Sequence, residues 1–191
     1  FKKAARLARE GLGDEALSRE CLSLSEDVER GIEAFGTVTH PKYGKIYAYE
    51  TDGLGHYSLM DDANSPSLLS VPFLGYREAS DPVYRNTRKF LLSEDNPYFY
   101  RGAAAEGIGS PHTPDGYIWP MAVAMRALTS EDHDEITGCL DTLAKTHAGT
   151  CFMHESFDAD DPAKYTRPWF AWANSLFSLL ILRLVENGFS F

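Results

Sequence analysis

Apolar side chains recur every three or four residues from Leu17 onward, at Leu17, Cys21, Leu24, Val28, Ile32 and Phe35. That period places them on one face and predicts a helix over residues 14–35. Asp14 is placed to cap its start, and Gly36 to end it in the left-handed region. A shorter helical pattern over 1–8 precedes it and is interrupted by Gly11 and Gly13. The texture then changes. Residues 45–50 and 56–60 are short, aromatic and β-prone, and they flank Thr51-Asp52-Gly53-Leu54-Gly55, which predicts a β-hairpin. Ser65-Pro66 and Asp81-Pro82 each put a capping residue before a proline suited to the first helical turn. They predict a short helix stopped by Pro72 and a longer one over 83–92. Helical patterns resume over 121–128, 132–146 and 169–186, the last closed by Gly188. Residues 94–119 and 148–168 read mostly as loop. Loops of that length are uncommon in a compact domain and usually functional. Helices alternating with long polar-aromatic loops suit an all-α barrel whose connections build a site at one end.

Composition narrows the classes. The 191 residues carry 18 Lys and Arg against 28 Asp and Glu, a formal charge of −10. Such a surface repels nucleic-acid backbones and anionic membranes. No apolar stretch is long enough to span a bilayer, since Arg183 breaks the best candidate, near 176–185. No signal peptide opens the sequence, which favours a cytoplasmic location while leaving the compartment open. The first residues lack a methionine and are already helical in pattern, so an upstream part is expected. Cys21, Cys139 and Cys151 are odd in number and widely separated. They give no disulfide framework or Cys-x-x-Cys pair and read as small buried hydrophobes.

Candidate chemistry gathers in three stretches. Glu155 lies between His154 and Ser156 with Phe152, Met153 and Phe157 around it. A carboxylate in a partly apolar loop has the raised proton affinity that acid–base work exploits, although from the spacing alone helix capping or a salt bridge is the commoner explanation. Asp61, Asp62 and Asn64 could orient sugar hydroxyls, bind a hard cation or cap a helix. His112 is open to a structural or a binding role. Trp119, Trp169 and Trp172 could stack on a pyranose face or lie in the core. His147, Cys151 and His154 fall within eight residues, but at no standard zinc spacing, so no metal ligand set is assigned. Gly107-Ile108-Gly109 lacks the third glycine and the strand of a dinucleotide fingerprint, and no Gly-x-Ser-x-Gly occurs.

Six segments in order, IYAYETDGLGHYSLMDDANSPSLLS, NPYFYRG, GIGSPHT, IWPMA, MHESF and YTRPWFAWANSLF, resemble glycoside hydrolase family 125 over residues 31–177. That family comprises exo-acting α-mannosidases that remove terminal α-1,6-linked mannose. The resemblance implies an (α/α)6 barrel and an inverting mechanism that needs no metal or other cofactor. It makes Glu155 the general base, against the bland reading its spacing allows. With that reading, Asp61, Asp62 and Asn64 are expected to line the sugar-binding end, and Arg101, His112, Trp119 and His154 are candidates for hydroxyl recognition or positioning. The substrate would be an α-mannosidic oligosaccharide of N-glycan or mannan type. The resemblance sets the general acid on an aspartate in an upstream segment that this sequence lacks. Residues 1–191 are therefore expected to form the C-terminal half of a single (α/α)6 domain with one short β-hairpin. The N-terminal half would supply the acid and close the barrel. Two rival expectations remain: a non-catalytic structural or carbohydrate-binding half-barrel, and a metal-assisted hydrolase using Asp61, Asp62 or the His147 cluster.

Overall fold

A computed structural model of the chain describes residues 1–190. The first helix, α1 (Lys2–Leu12), runs through Gly11 and ends at Gly13, whose φ of 67° is the left-handed stop. Asp14 then caps α2 (Glu15–Phe35) by accepting the Leu17 N–H at 2.9 Å. The two helices pack together through Ala5, Ala8 and Ser18, small residues that let the backbones approach. Gly36 is not a left-handed cap, because its φ is −90° and the chain leaves α2 directly into a strand. Leu17, Leu24, Val28 and Phe35 of the predicted apolar face remain exposed.

Over residues 37–58 there are two hairpins where one was expected. Strand β1 (Thr37–His40) pairs with β2 (Gly44–Tyr47), and β3 (Glu50–Thr51) pairs with β4 (Tyr57–Ser58), all antiparallel. Residues 45–47 therefore pair upstream, with the β-branched run Thr37-Val38-Thr39, and Gly44 at φ 77° supplies the turn. The predicted helix after Ser65 is a series of turns. The Asp61 carboxylate takes the N–H groups of Leu68 and Leu69 at 2.8 and 3.0 Å, and the Ser67 and Ser70 hydroxyls bond locally. Side chains so placed compete with the helical ladder.

Asp81 does cap α3 (Pro82–Leu91), through the Tyr84 N–H at 2.9 Å. The two expected loops contain five short strands. These are β5 (Phe99–Arg101), β6 (Glu106–Ile108), β7 (Tyr117–Ile118), β8 (Ser156–Asp158) and β9 (Tyr165–Thr166). Strands β5 and β6 form a hairpin, and β7-β8-β9 form a three-stranded antiparallel sheet. The chain is thus mainly helical with small antiparallel sheets, not all-α.

Helix α4 (Pro120–Leu128) is the centre of the core. It packs against α5 (His133–Lys145) and α6 (Ala171–Glu186), and every residue from Pro120 to Met125 is buried. Ala122, Ala124 and Ala127 admit close neighbours, and Phe90, Leu91, Ile108, Ile118, Phe157, Leu143 and Leu180 fill the spaces around them. Trp172, Leu182 and Val185 of α6 are exposed. Among the described residues no helix is long and apolar enough to cross a membrane. Cys139 is buried as expected; Cys21 is half-buried and Cys151 exposed.

One charged network pins α5 to α3 and α4. Glu135 accepts from Arg126 Nε at 2.8 Å, from Arg88 Nη2 at 2.9 Å, and from the Ser130 hydroxyl. Burial pushes its carboxyl up, but these donors together outweigh burial and hold it at about 2. The depressed value means the stabilisation is complete above pH 4.5 and is lost as pH falls through about 2. Discounted for partial solvent screening, the shift corresponds to about 2 kcal/mol. Glu135→Gln is expected to lower the unfolding free energy by about that much at pH 7, and the gap should close between pH 5 and 2, as urea titrations at each pH would record.

Candidate functional site

Strand alternation brings the site together. In the antiparallel order β7-β8-β9, the end of β7, the start of β8 and the end of β9 share one edge of the sheet. Trp119 follows β7, Glu155 precedes β8 and Arg167 follows β9, so three residues distant in sequence emerge side by side. Phe170 and Trp172 open α6 next to them. Asn64 and Ser65 arrive from the other side on a segment stitched to Gly109, which accepts the Ala63 N–H at 3.0 Å. A Cβ on Gly109 would stand 2.2 Å from the Tyr117 carbonyl oxygen, so only glycine allows this approach. The result is an open depression of about 640 Å³ lined by Asn64, Ser65, His112, Trp119, Glu155, Arg167, Phe170 and Trp172.

Glu155 is 13% exposed at its side chain, and one oxygen lies 3.3 Å from Arg167 Nε. Neither oxygen accepts a hydrogen bond from another side chain or backbone group among the described residues; Oε1 has the Arg167 ion pair, which leaves Oε2 open to a ligand or water. Its own N–H bonds to the Thr166 carbonyl across the sheet at 3.3 Å. Trp119 is buried except at the rim. Its indole N–H donates to Thr113 at 2.9 Å, and its ring meets Phe170 edge-on at 5.9 Å. His112 is exposed, with Nε2 3.8 Å from an Asp62 oxygen.

Asp62 lies just behind this wall. It accepts the Asn64 backbone N–H at 3.1 Å and the Asn64 amide at 3.2 Å, which fixes Asn64 rather than reaching the depression itself. Three expected binding residues stand elsewhere. Asp61 is fully enclosed, with both oxygens held by the Leu68 and Leu69 N–H groups, and burial pushes its carboxyl up to about 7. Its role is to fold the 61–70 segment. Arg101 lies on the exposed β5–β6 hairpin, where Nε pairs with Glu106 at 2.8 Å directly across the strands. His154 is fully buried: Nδ1 donates to the Pro168 carbonyl at 2.9 Å, and the ring stacks on Tyr165 at 3.9 Å. That removes it from any ligand set with His147, whose Nδ1 accepts the Gly149 and Cys151 N–H groups. Among the described residues no group of three His, Cys, Asp or Glu is arranged to hold a metal ion.

Sequence reasoning missed Ser65, Arg167 and Phe170. Arg167 and Phe170 fall within the YTRPWF segment, which carries no local signal that singles out either of them. Trp172, open to a core or a stacking role, is 60% exposed on the rim; Trp169 is exposed but lines no part of the depression.

Exposed aromatic faces beside a carboxylate, an amide and a guanidinium are the combination that carbohydrate-active proteins use, because sugars offer apolar ring faces rimmed by hydroxyls. The chain belongs to glycoside hydrolase family 125, the metal-independent α-mannosidases, whose profile matches residues 1–182. It is 51% identical over 176 residues to the meiotically up-regulated gene 157 protein of Schizosaccharomyces pombe, covering 92% of this chain and 35% of that protein. It also superposes with a TM-score of 0.91 and 43% identity on a Streptococcus pneumoniae metal-independent α-mannosidase, solved as a non-productive complex with α-1,6-mannobiose. That likeness covers 95% of this chain and 43% of the pneumococcal one. The chain therefore spans less than half the length of either relative.

Proposed function

We infer that these residues form the general-base side of an exo-acting α-1,6-mannosidase that inverts configuration without a metal, on the C-terminal half of an (α/α)6 barrel. The observation that carries this reading is Glu155 itself: the one carboxylate lining the depression, in the MHESF segment, with neither oxygen engaged in a hydrogen bond among the described residues. An inverting hydrolase needs such a group to take a proton from the attacking water. It also needs a second carboxyl, roughly 6.5–9.5 Å away, to protonate the leaving oxygen. Asp61 is enclosed and Asp62 is committed to Asn64, which accords with what the family resemblance implies, an acid in the part of the longer relatives that lies outside these residues. Asn64 and His112 would meet hydroxyls, with Phe170 and Trp172 offering ring faces to the sugar and buried Trp119 supporting Phe170 from behind.

The test uses the gene's full-length product with α-1,6-mannobiose, followed by proton NMR from the first turnovers. Inversion of an α-mannoside releases β-mannose first, and a chelator should leave the rate unchanged. Early α-mannose, or loss of activity with chelator, would overturn the mechanism.

A further inference from the structure

Arg167 holds a backbone conformation that a side chain rarely adopts. Its φ is 44°, in the left-handed region, and the chain is clamped on both sides of it. On one side the Glu155 N–H bonds to the Thr166 carbonyl at 3.3 Å and lies 3.4 Å from the Arg167 carbonyl. On the other, buried His154 donates Nδ1–H to the Pro168 carbonyl and stacks flat on Tyr165. Two adjacent residues thus lock four, and the arginine is held where a glycine would fit more easily. The side chain emerges over the depression. Its Nε stands 3.3 Å from Glu155 Oε1, and its guanidinium carbon is 5.6 Å from the Phe170 ring centre. Among the described residues no other cation pairs with Glu155.

We propose that Arg167 is the positioning residue of Glu155: it anchors Oε1 so that Oε2 points at the attacking water. This rests on Glu155 being the general base. A guanidinium that is 66% exposed gives weak Coulombic attraction, so what it supplies is direction. Its planar fork braced on Phe170 supplies that better than an ammonium would. A misplaced base is costly, since a shift of about 1 Å in a reacting group can lower a rate by about 10²-fold.

The experiment compares Arg167→Gly and Arg167→Lys in the full-length protein. Glycine relieves the left-handed backbone, so the melting temperature should hold or rise while kcat on α-1,6-mannobiose falls by roughly 10²-fold at nearly constant KM. Lysine keeps the charge but should recover only a minor part. In a Glu155→Gln background supplied with azide, Arg167→Gly should make no further difference, because no base is left to orient. An equal loss in that background would show Arg167 acting on substrate directly and overturn the proposal. So would wild-type kcat in Arg167→Gly. Full activity in Glu155→Gln would overturn the base assignment and this proposal with it. A deep loss in Glu155→Gln beside none in Arg167→Gly would overturn this proposal alone.

Discussion

Glu155→Gln in the full-length protein is expected to lower kcat on α-1,6-mannobiose by ~10²–10⁴-fold, the usual cost of losing a general base. The amide keeps the shape and the hydrogen-bonding position but cannot take a proton from water. KM should change little, because the substitution removes an interaction that matters only as the water is deprotonated. Arg167 would still meet the amide oxygen, so the local geometry survives. Azide gives the decisive control. A small anion can attack the anomeric carbon without deprotonation, so added azide should partly restore cleavage. The product should be the β-mannosyl azide, inverted from the α-mannoside. An α-configured azide would instead imply retention through a glycosyl-enzyme formed on another carboxylate, with Glu155 as the acid/base of that mechanism. Unchanged turnover in Glu155→Gln would remove the residue from the chemistry.

The parts of this architecture legible in the sequence are those with local causes. Asp14 and Asp81 cap their helices as their spacing predicts, because a cap needs only a short side chain and the next turn. The period of 121–128 and 132–146 likewise marks α4 and α5. The five strands inside the apparent loops were not legible. Each has two or three residues, too few for an alternation of period two to show. Their pairing depends on partners as distant as Tyr117 and Asp158. The site followed the same division. The family motifs pointed to Glu155, but nothing local distinguishes Asp61, turned inward on two backbone N–H groups, from Asp62, which braces Asn64. Arg167 was hidden for a related reason: its nearness to Glu155 is set by the β8–β9 pairing and by a left-handed φ, neither of which its neighbours in sequence announce.

The 191 residues alone are expected to cleave α-1,6-mannobiose at no more than about 10⁻² of the full-length rate, since an absent general acid typically costs ~10²–10⁴-fold. The argument starts from the carboxylates around the depression. Glu155 is the assigned base and cannot protonate the leaving oxygen in the same step. Asp62, which lies behind the wall of the depression, accepts N–H groups from Asn64, whereas a general acid must donate. The apolar surfaces agree with a missing neighbour. Val28 and Phe35 on α2, and Leu182 and Val185 on α6, are open to solvent, where a helical barrel would pack further helices. This chain matches 43% of the pneumococcal α-mannosidase, and on the proposed reading a corresponding further part of the full-length product would cover these faces. Supplying the remainder of the full-length product in trans should therefore bury those faces and restore turnover together, followed by co-elution on a sizing column and by mannose release. Strong activity from the isolated chain would mean that an acid is already present. Asp62→Asn would then be the first variant to make, and its loss of activity would reassign Asp62 from bracing Asn64 to proton donation.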